Sequence, residues 1–433
     1  MKKIALINAT LVDPSQNINK KGNLLIENKN IAELIFNNND FSNENYNIIN
    51  CKGLILCPGF VDIKCHLRVP GQEHKENLSY ASKSAASAGI TSLVCMPNTD
   101  PIIDNISIVE LIQRKAKKES NVKIYSTASI TKELKGKDIT EIGLLKEAGA
   151  VGFTDAIKAV DDTTVMLRAL KYANAFDALI MQHPEEQSLA KGGSMNAGLL
   201  ATKLGIKGIP IEAEVLQVDR DIRLAEMTNS KLHFFNITTS LALQSIKLAQ
   251  IRGSQITCST SPHYFNLTEE DIRKWRTYAK VSPPLRDKKN MESVKKAIVN
   301  DIINCISSDH SPHDTDSKRL PFEIASSGII GFESLLPLTL KLIKEKKLPL
   351  TNLVKLLSYN PSKILNLDVG TLKKGSPADL VVFDPNKKIK LSSELIKSKS
   401  NNYPYENLNA EGKVMLTIVD GKIIYNARSF NIK

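Results

Sequence analysis

Asp62, Lys64, His66 and Arg68 occupy every second position in one stretch, Cys57-Pro-Gly-Phe-Val-Asp-Ile-Lys-Cys-His-Leu-Arg-Val-Pro70. Along a strand, residues two apart share a face, so Asp62, Lys64 and His66 are expected to point together. Arg68 carries the row into the following loop. A His and an Asp at the end of an apolar strand make half of a metal site. Lys64 is foreign to such a site, because an ammonium cannot ligate a cation. Further on, Asn98, Asp155, His183, Asn236, His263 and Asp309 also stand at or just beyond the ends of apolar, strand-like runs. Of the seven histidines, five (His66, His183, His263, His310 and His313) fall at such ends. A single histidine there is ordinarily a satisfied core residue; five on one face point to a shared site.

The elements that would gather these residues can be counted. Strand-like runs end near His66, Pro97, Ala128, Thr154, His183, Ile237, Thr260 and Asp309. Helical patterns lie between them, among them Val109 to Glu119, Ile211 to Thr228 and Leu241 to Arg252. Eight strands alternating with helices over roughly 300 residues predict an α/β chain folded as a (β/α)8 TIM barrel. An open doubly wound sheet would need a Gly-rich fingerprint after its first strand, and none is present. Barrel enzymes build their sites at the C-terminal ends of the strands, which is where the polar residues fall. Residues 1–55 and 366–433 have another texture, with short alternating segments such as Ala378-Asp-Leu-Val-Val-Phe-Asp. Val414-Met-Leu-Thr-Ile-Val runs into an Asp420-Gly421 hairpin turn. The two ends are expected to combine into one small β-sandwich domain beside a barrel formed by residues 56–365.

Composition narrows the function classes. The chain has 433 residues, 42% of them apolar and 24% charged, and a net charge of +12. Its lysines are scattered among acidic residues without interleaved aromatics, so no nucleic-acid partner is expected. The apolar runs are shorter than a bilayer span and no signal peptide opens the chain, so no membrane partner is expected and a cytoplasmic location is. The six cysteines form no CxxC pair and read as buried, reduced thiols, which suits the same compartment.

Seven motifs carry a more specific likeness. They are Pro58-Gly-Phe-Val-Asp, His66-Leu-Arg-Val-Pro-Gly-Gln-Glu-His-Lys-Glu, Met96-Pro-Asn-Thr, Val151-Gly-Phe-Thr-Asp, Lys280-Val-Ser-Pro-Pro-Leu-Arg, Ser308-Asp-His-Ser-Pro-His and Gly328-Ile-Ile-Gly-Phe-Glu. Through them nearly the whole chain resembles the amidohydrolase superfamily, and within it the class I dihydroorotases of de novo pyrimidine biosynthesis. The resemblance implies a hydroxide held between two zinc ions, which interconverts N-carbamoyl-L-aspartate and dihydroorotate. It implies that His66, Asp155, His183 and Asp309 occupy metal-ligand positions and that Asp309 is also the catalytic acid/base. Arg68, Asn98 and His313 match groups that hold the substrate carboxylate and ring, and Ser327 and Gly328 match a backbone contact to the ring. Ser282 stands where the family has a substrate-contacting Asn.

Two ligand positions depart from the family. Lys64 replaces the first His of the H-x-H motif, and Asn236 replaces the sixth-strand His. His233, three residues earlier, is expected on the opposite face of its strand. Ala156-Ile157 also replaces the Asp-Gly that follows the bridging acid. Each zinc position thereby loses a ligand, so at most one zinc is expected, or none. The Lys64 ammonium is expected beside Asp155 and Asp309, supplying a cation's charge without its Lewis acidity. These losses favour a non-catalytic dihydroorotase-like partner of aspartate carbamoyltransferase, in a hetero-complex or a homo-oligomer. The alternative is an active dihydroorotase with an altered or single-metal site. A hydantoinase or dihydropyrimidinase fits the Arg68 and Asn98 motifs less well.

Overall fold

The computed structural model describes residues 3–36 and 44–427. Alternating apolar residues at the start of the chain form β1 (Lys3–Asp13), β2 (Ile18–Glu27) and β3 (Asn30–Ile35), an antiparallel meander. β4 (Asn47–Asn50) and β5 (Ile55–Pro58) return parallel to β1.

The chain then enters a parallel barrel through β6 (Phe60–Cys65), β7 (Ile90–Cys95), β8 (Lys123–Ala128), β9 (Ala150–Phe153) and β10 (Ile180–Gln182). In the long connection that follows, β11 (Met195–Asn196) and β12 (Gly208–Ile209) form a separate two-stranded ribbon. The barrel resumes with β13 (Leu232–Phe234), β14 (Ile256–Thr260) and β15 (Cys305–Ile306). His66 N donates to His310 O at 2.8 Å, and Cys65 bridges His310 in parallel, so the last strand is drawn against the first. Every observed strand end lies at the position expected from the sequence or up to three residues before it.

Helices lie between the barrel strands. In the helix Ile106–Glu119, the Asn105 side chain accepts from Ile108 N at 3.2 Å and so caps the first turn, while Val109, Ile112 and Ala116 face inward. The helices Glu212–Thr228 and Ser240–Ile251 also lie where the periodicity places them. Among the described residues, no helix is long and apolar enough to cross a membrane.

The last strands, β16 (Leu380–Leu391), β17 (Leu408–Val419) and β18 (Lys422–Asn426), leave the barrel and join the N-terminal meander. β16 pairs antiparallel with β5 (Val381 opposite Cys57), which makes one eight-stranded sheet from both ends of the chain. The Asp420-Gly421 turn joins β17 to β18 with both residues left-handed (φ 47° and 69°), as a two-residue hairpin requires. The sheet bends back on itself, so that Ala378 N donates to Lys29 O at 2.7 Å. It encloses its own core, with Leu6, Leu24, Ile26, Leu380, Leu416 and Ile418 all buried in one cluster.

One glycine matters for the barrel mouth. A Cβ on Gly331 would stand 2.2 Å from Ser308 O, under the turn that presents Asp309. Gly331→Ala is expected to cost about 1–3 kcal/mol, because the blocking atom is backbone that cannot swing away. An unchanged urea midpoint would contradict that packing.

Candidate ligand-binding site at the barrel mouth

The row on β6 does not stay on one face. Its register against β7 slips between Asp62 and Cys65, and the slip resets the alternation. Val61 and Ile63 join an apolar cluster with Val94, Met181, Phe235 and Cys305, drawn from strands around the barrel. Lys64 Nζ lies 5.5 Å from the Phe235 ring, so it shares that interior. Asp62 serves another purpose: it accepts from Ser308 N at 3.0 Å and from the Ser308 hydroxyl. Burial raises the Asp62 carboxyl to about 6, in spite of those bonds. Asp62 therefore fixes the turn that delivers Asp309, and the expectation that it points with Lys64 is corrected.

At the centre stands Asp309, held in a left-handed backbone turn (φ 51°) just beyond β15. Lys64 Nζ, almost fully buried, pairs with Asp309 Oδ1 at 2.9 Å. Asn236 Nδ2 donates to Oδ2 at 2.9 Å, and His263 Nε2 stands 3.4 Å from the same oxygen as an electrostatic neighbour. Burial opposes charge on this carboxyl, but Lys64 and then His263 outweigh it and hold Asp309 below the ordinary carboxylate range.

Asn236 is itself placed by its turn. Its backbone is left-handed (φ 50°), and Ser261 Oγ donates to Asn236 Oδ1 at 2.8 Å. Glu214, on the helix Glu212–Thr228, accepts from Thr238 N at 3.0 Å and Thr239 N at 2.8 Å and pins the segment that follows. His233 does not reach the centre. Its nitrogens lie 2.8 Å from Thr257 Oγ1 and 3.1 Å from Ser259 Oγ, on the neighbouring strand.

Above this centre a cleft of about 410 Å³ opens, lined by His66, Arg68, Asn98, Glu185, Ser282 and His313 among others. Arg68 Nε donates to Pro312 O at 3.1 Å, and Nη2 donates to Ser311 Oγ at 3.0 Å. Nη2 also lies 3.0 Å from His313 Nε2, which is 2.9 Å from Ser327 O. Burial lowers the Arg68 guanidinium from its high ordinary value to about 10, so it stays cationic at neutral pH. Among the described residues no carboxylate pairs with it. A buried guanidinium held only by neutral groups is prepared for an anion.

The neighbouring imidazoles are neutral. Burial, with repulsion from Arg68 and Lys64, lowers His66 to about 3, and Asn98 Oδ1, 2.9 Å away, assigns its proton to Nδ1. Burial and then Lys64 lower His183 to about 3; its Nε2 lies 3.1 Å from Ser282 Oγ. Ser282 Oγ also faces Glu185 Oε1 at 3.4 Å. Ser327 lines the cleft, whereas Gly328 uses its N–H on Lys280 O (2.8 Å) and its carbonyl on Lys318 and Asn402.

Asp155 lies elsewhere. Its carboxylate accepts from Ile130 N at 2.8 Å, from Thr131 N at 2.9 Å and from the Thr131 hydroxyl. Burial raises its carboxyl, and Lys64 pairs with Asp309 alone. The expectation that Lys64 stands beside Asp155 as well as Asp309 is corrected, because the turn after β8 claims Asp155. His310 also leaves the site: its ring stacks on Phe332 at 3.7 Å and its Nε2 lies 3.6 Å from Glu76.

The sequence does not single out Glu185, and it marks His263 only as one of the strand-end histidines. Nothing in strand alternation marks Glu185, which follows His183 across a proline. His263 carried only the weak signal of a strand end.

These residues do not fit a zinc pair. Catalytic zinc takes three protein ligands and an open position. Among the described residues, no group of three or more His, Cys, Asp and Glu side chains could hold a metal ion. Asp309 already receives Lys64 and Asn236, and Asp155 receives the 130–131 turn. His183 Nδ1 and His263 Nε2 remain buried without hydrogen-bond partners, two donors where three are needed.

A nearly closed eight-stranded parallel barrel, accompanied by a sheet from both chain ends and carrying its polar groups at the strand ends, defines an amidohydrolase fold. Known structures share it. L-Hydantoinase from Arthrobacter aurescens superposes with a TM-score of 0.88 at 22% identity, covering 100% of this chain and 98% of that one. Dihydropyrimidinase from Brevibacillus agri gives 0.85 at 21% identity, covering 99% and 96%. These likenesses show the fold alone. Residues 337–425 match the family described as Amidohydrolase family, and residues 53–241 the one described as Dihydro-orotase-like. Full-length relatives are closer in sequence. Dihydroorotase from Syntrophotalea carbinolica is 40% identical over 423 residues, 98% of this chain and 99% of that one. Dihydroorotase from Geotalea daltonii is 41% identical over 415 residues, covering 96% and 97%. The chain belongs to the dihydroorotase family.

Proposed function

We propose that this protein works at the dihydroorotate step of pyrimidine biosynthesis, binding dihydroorotate or N-carbamoyl-L-aspartate in the cleft above Asp309. The observation that carries this reading is Arg68, a buried guanidinium beside the cleft whose partners are a carbonyl, a hydroxyl and a neutral imidazole. Its fork matches a carboxylate. Asn98, Ser282, His313 and Ser327 line the same cleft and would orient the ring. The full-length relatives named dihydroorotase support interconversion of the two compounds, a cyclic-amide hydrolysis run in either direction.

A second reading has one specific observation in its favour. Asp309, the family's acid/base, is engaged by Lys64 and Asn236 and held below the ordinary carboxylate range, which makes it a weak base. On that reading the chain binds ligand without turnover and serves as a subunit beside aspartate carbamoyltransferase. The test is to supply purified protein with (S)-dihydroorotate and follow loss of the ring absorbance. Turnover that Asp309→Asn abolishes supports the dihydroorotase reading. Binding without turnover, together with co-purification of the carbamoyltransferase, supports the second. If neither compound binds, both are wrong.

A further inference from the structure

The interior of this barrel carries a lysine–carboxylate pair behind the cleft, near enough to the lining residue His66 for both charges to act on its imidazole. Lys64 is 1% exposed and its ammonium lies 2.9 Å from Asp309 Oδ1. The pair is neutral as a unit, and Asn236 fills the other carboxylate oxygen. The pair therefore offers the cleft neither an open metal position nor a spare cation. Arg68, nearer the mouth, offers one guanidinium without an acidic partner. Three more ammonium groups stand close by: Lys75 donates to Gln72 Oε1 at 3.3 Å, and the other two are taken by backbone. Lys280 donates to the carbonyls of Phe322, Glu323 and Ala325 at 2.7–2.9 Å, and Lys318 to those of Ser326 and Gly328 at 2.8 and 3.1 Å. Two acidic side chains, Glu185 and Glu323, line the same cleft, and Glu185 Oε2 is buried without a hydrogen-bond partner.

Resting on the reading that this cleft takes the dihydroorotate pair, we propose that the centre works without a metal, with Lys64 as its fixed cation, and that the cleft selects the cyclic monoanion dihydroorotate over the open dianion N-carbamoyl-L-aspartate. The carboxylate that both compounds share meets Arg68. The second carboxylate of the open form would be driven towards Glu185 and a cation already neutralised by Asp309. It would lose its water without gaining a partner, which is the expensive case for a buried charge. The ring form carries an amide there instead, and its N–H suits the free Glu185 oxygen.

The test uses the full chain, dialysed against EDTA and titrated by calorimetry with (S)-dihydroorotate and, separately, N-carbamoyl-L-aspartate. Each titration is repeated with zinc restored. The expected result is that dihydroorotate binds at least about tenfold more tightly, a difference of about 1.4 kcal/mol, with the same Kd in EDTA and in zinc. Binding that appears only with zinc overturns the proposal, as does equal or tighter binding of the open compound, while the dihydroorotate-step reading stands. Failure of both compounds to bind overturns the proposal together with that reading.

Discussion

Replacing Lys64 with Met is expected to destabilise the protein by about 3–5 kcal/mol, because it leaves the Asp309 carboxylate buried without its cation. The double change Lys64→Met with Asp309→Asn should recover most of that loss. Removing both charges also removes the need to solvate either, and an amide can still meet Asn236. Urea unfolding of the wild type, both single variants and the pair gives the coupling directly. The sign of its pH dependence is fixed. Asp309 is held below its unfolded value, so its contribution is present above about pH 4 and fades as the pH falls towards the folded value. The stability gap between wild type and Lys64→Met should therefore narrow in acid. A Lys64→Met protein as stable as wild type would mean that the pair does not organise the centre.

Replacing Arg68 should act on binding. Arg68→Met is expected to weaken dihydroorotate binding by about 2–5 kcal/mol, more than tenfold in Kd, because the ligand carboxylate would lose the buried guanidinium that no carboxylate of the chain pairs with among the described residues. Arg68→Lys keeps the charge but loses the planar fork and should fall between the two. The unliganded protein should lose far less stability than Lys64→Met does, since no buried anion depends on Arg68. Calorimetric titration reads the first effect and urea unfolding the second. Undiminished affinity in Arg68→Met would place the ligand elsewhere.

The sequence made the barrel legible because each strand is a short apolar run ended by a polar residue, from His66 to Asp309, with helical periodicity between. The composite sheet was legible in the Asp420-Gly421 turn and the matching texture of the two ends. The centre was only partly legible. Lys64 could be expected beside Asp309 because the family resemblance puts both at metal-ligand positions. The register slip in β6 could not be read, since no Gly or Pro marks it, and strict alternation wrongly placed Asp62 with Lys64. Asp155 was assigned to the centre, but Thr131 and two backbone N–H groups on the next turn compete for it, and such local capture leaves no pattern in a strand. Asn236 was read as a ligand lost. The structure shows what the replacement does: its amide donates to the carboxylate that Lys64 neutralises.

Restoring the two missing imidazoles probes the same centre from the other side. If Lys64 and Asn236 are what close it to metal, Lys64→His with Asn236→His should gain zinc affinity that the natural chain lacks.

The most direct test is the zinc content of the wild-type chain after dialysis against excess zinc and removal of the loosely held ion. The Lys64–Asp309 pairing predicts well under one zinc per chain. One or two tightly held zinc ions per chain would contradict it, since they would require Lys64 to leave the carboxylate it pairs with here.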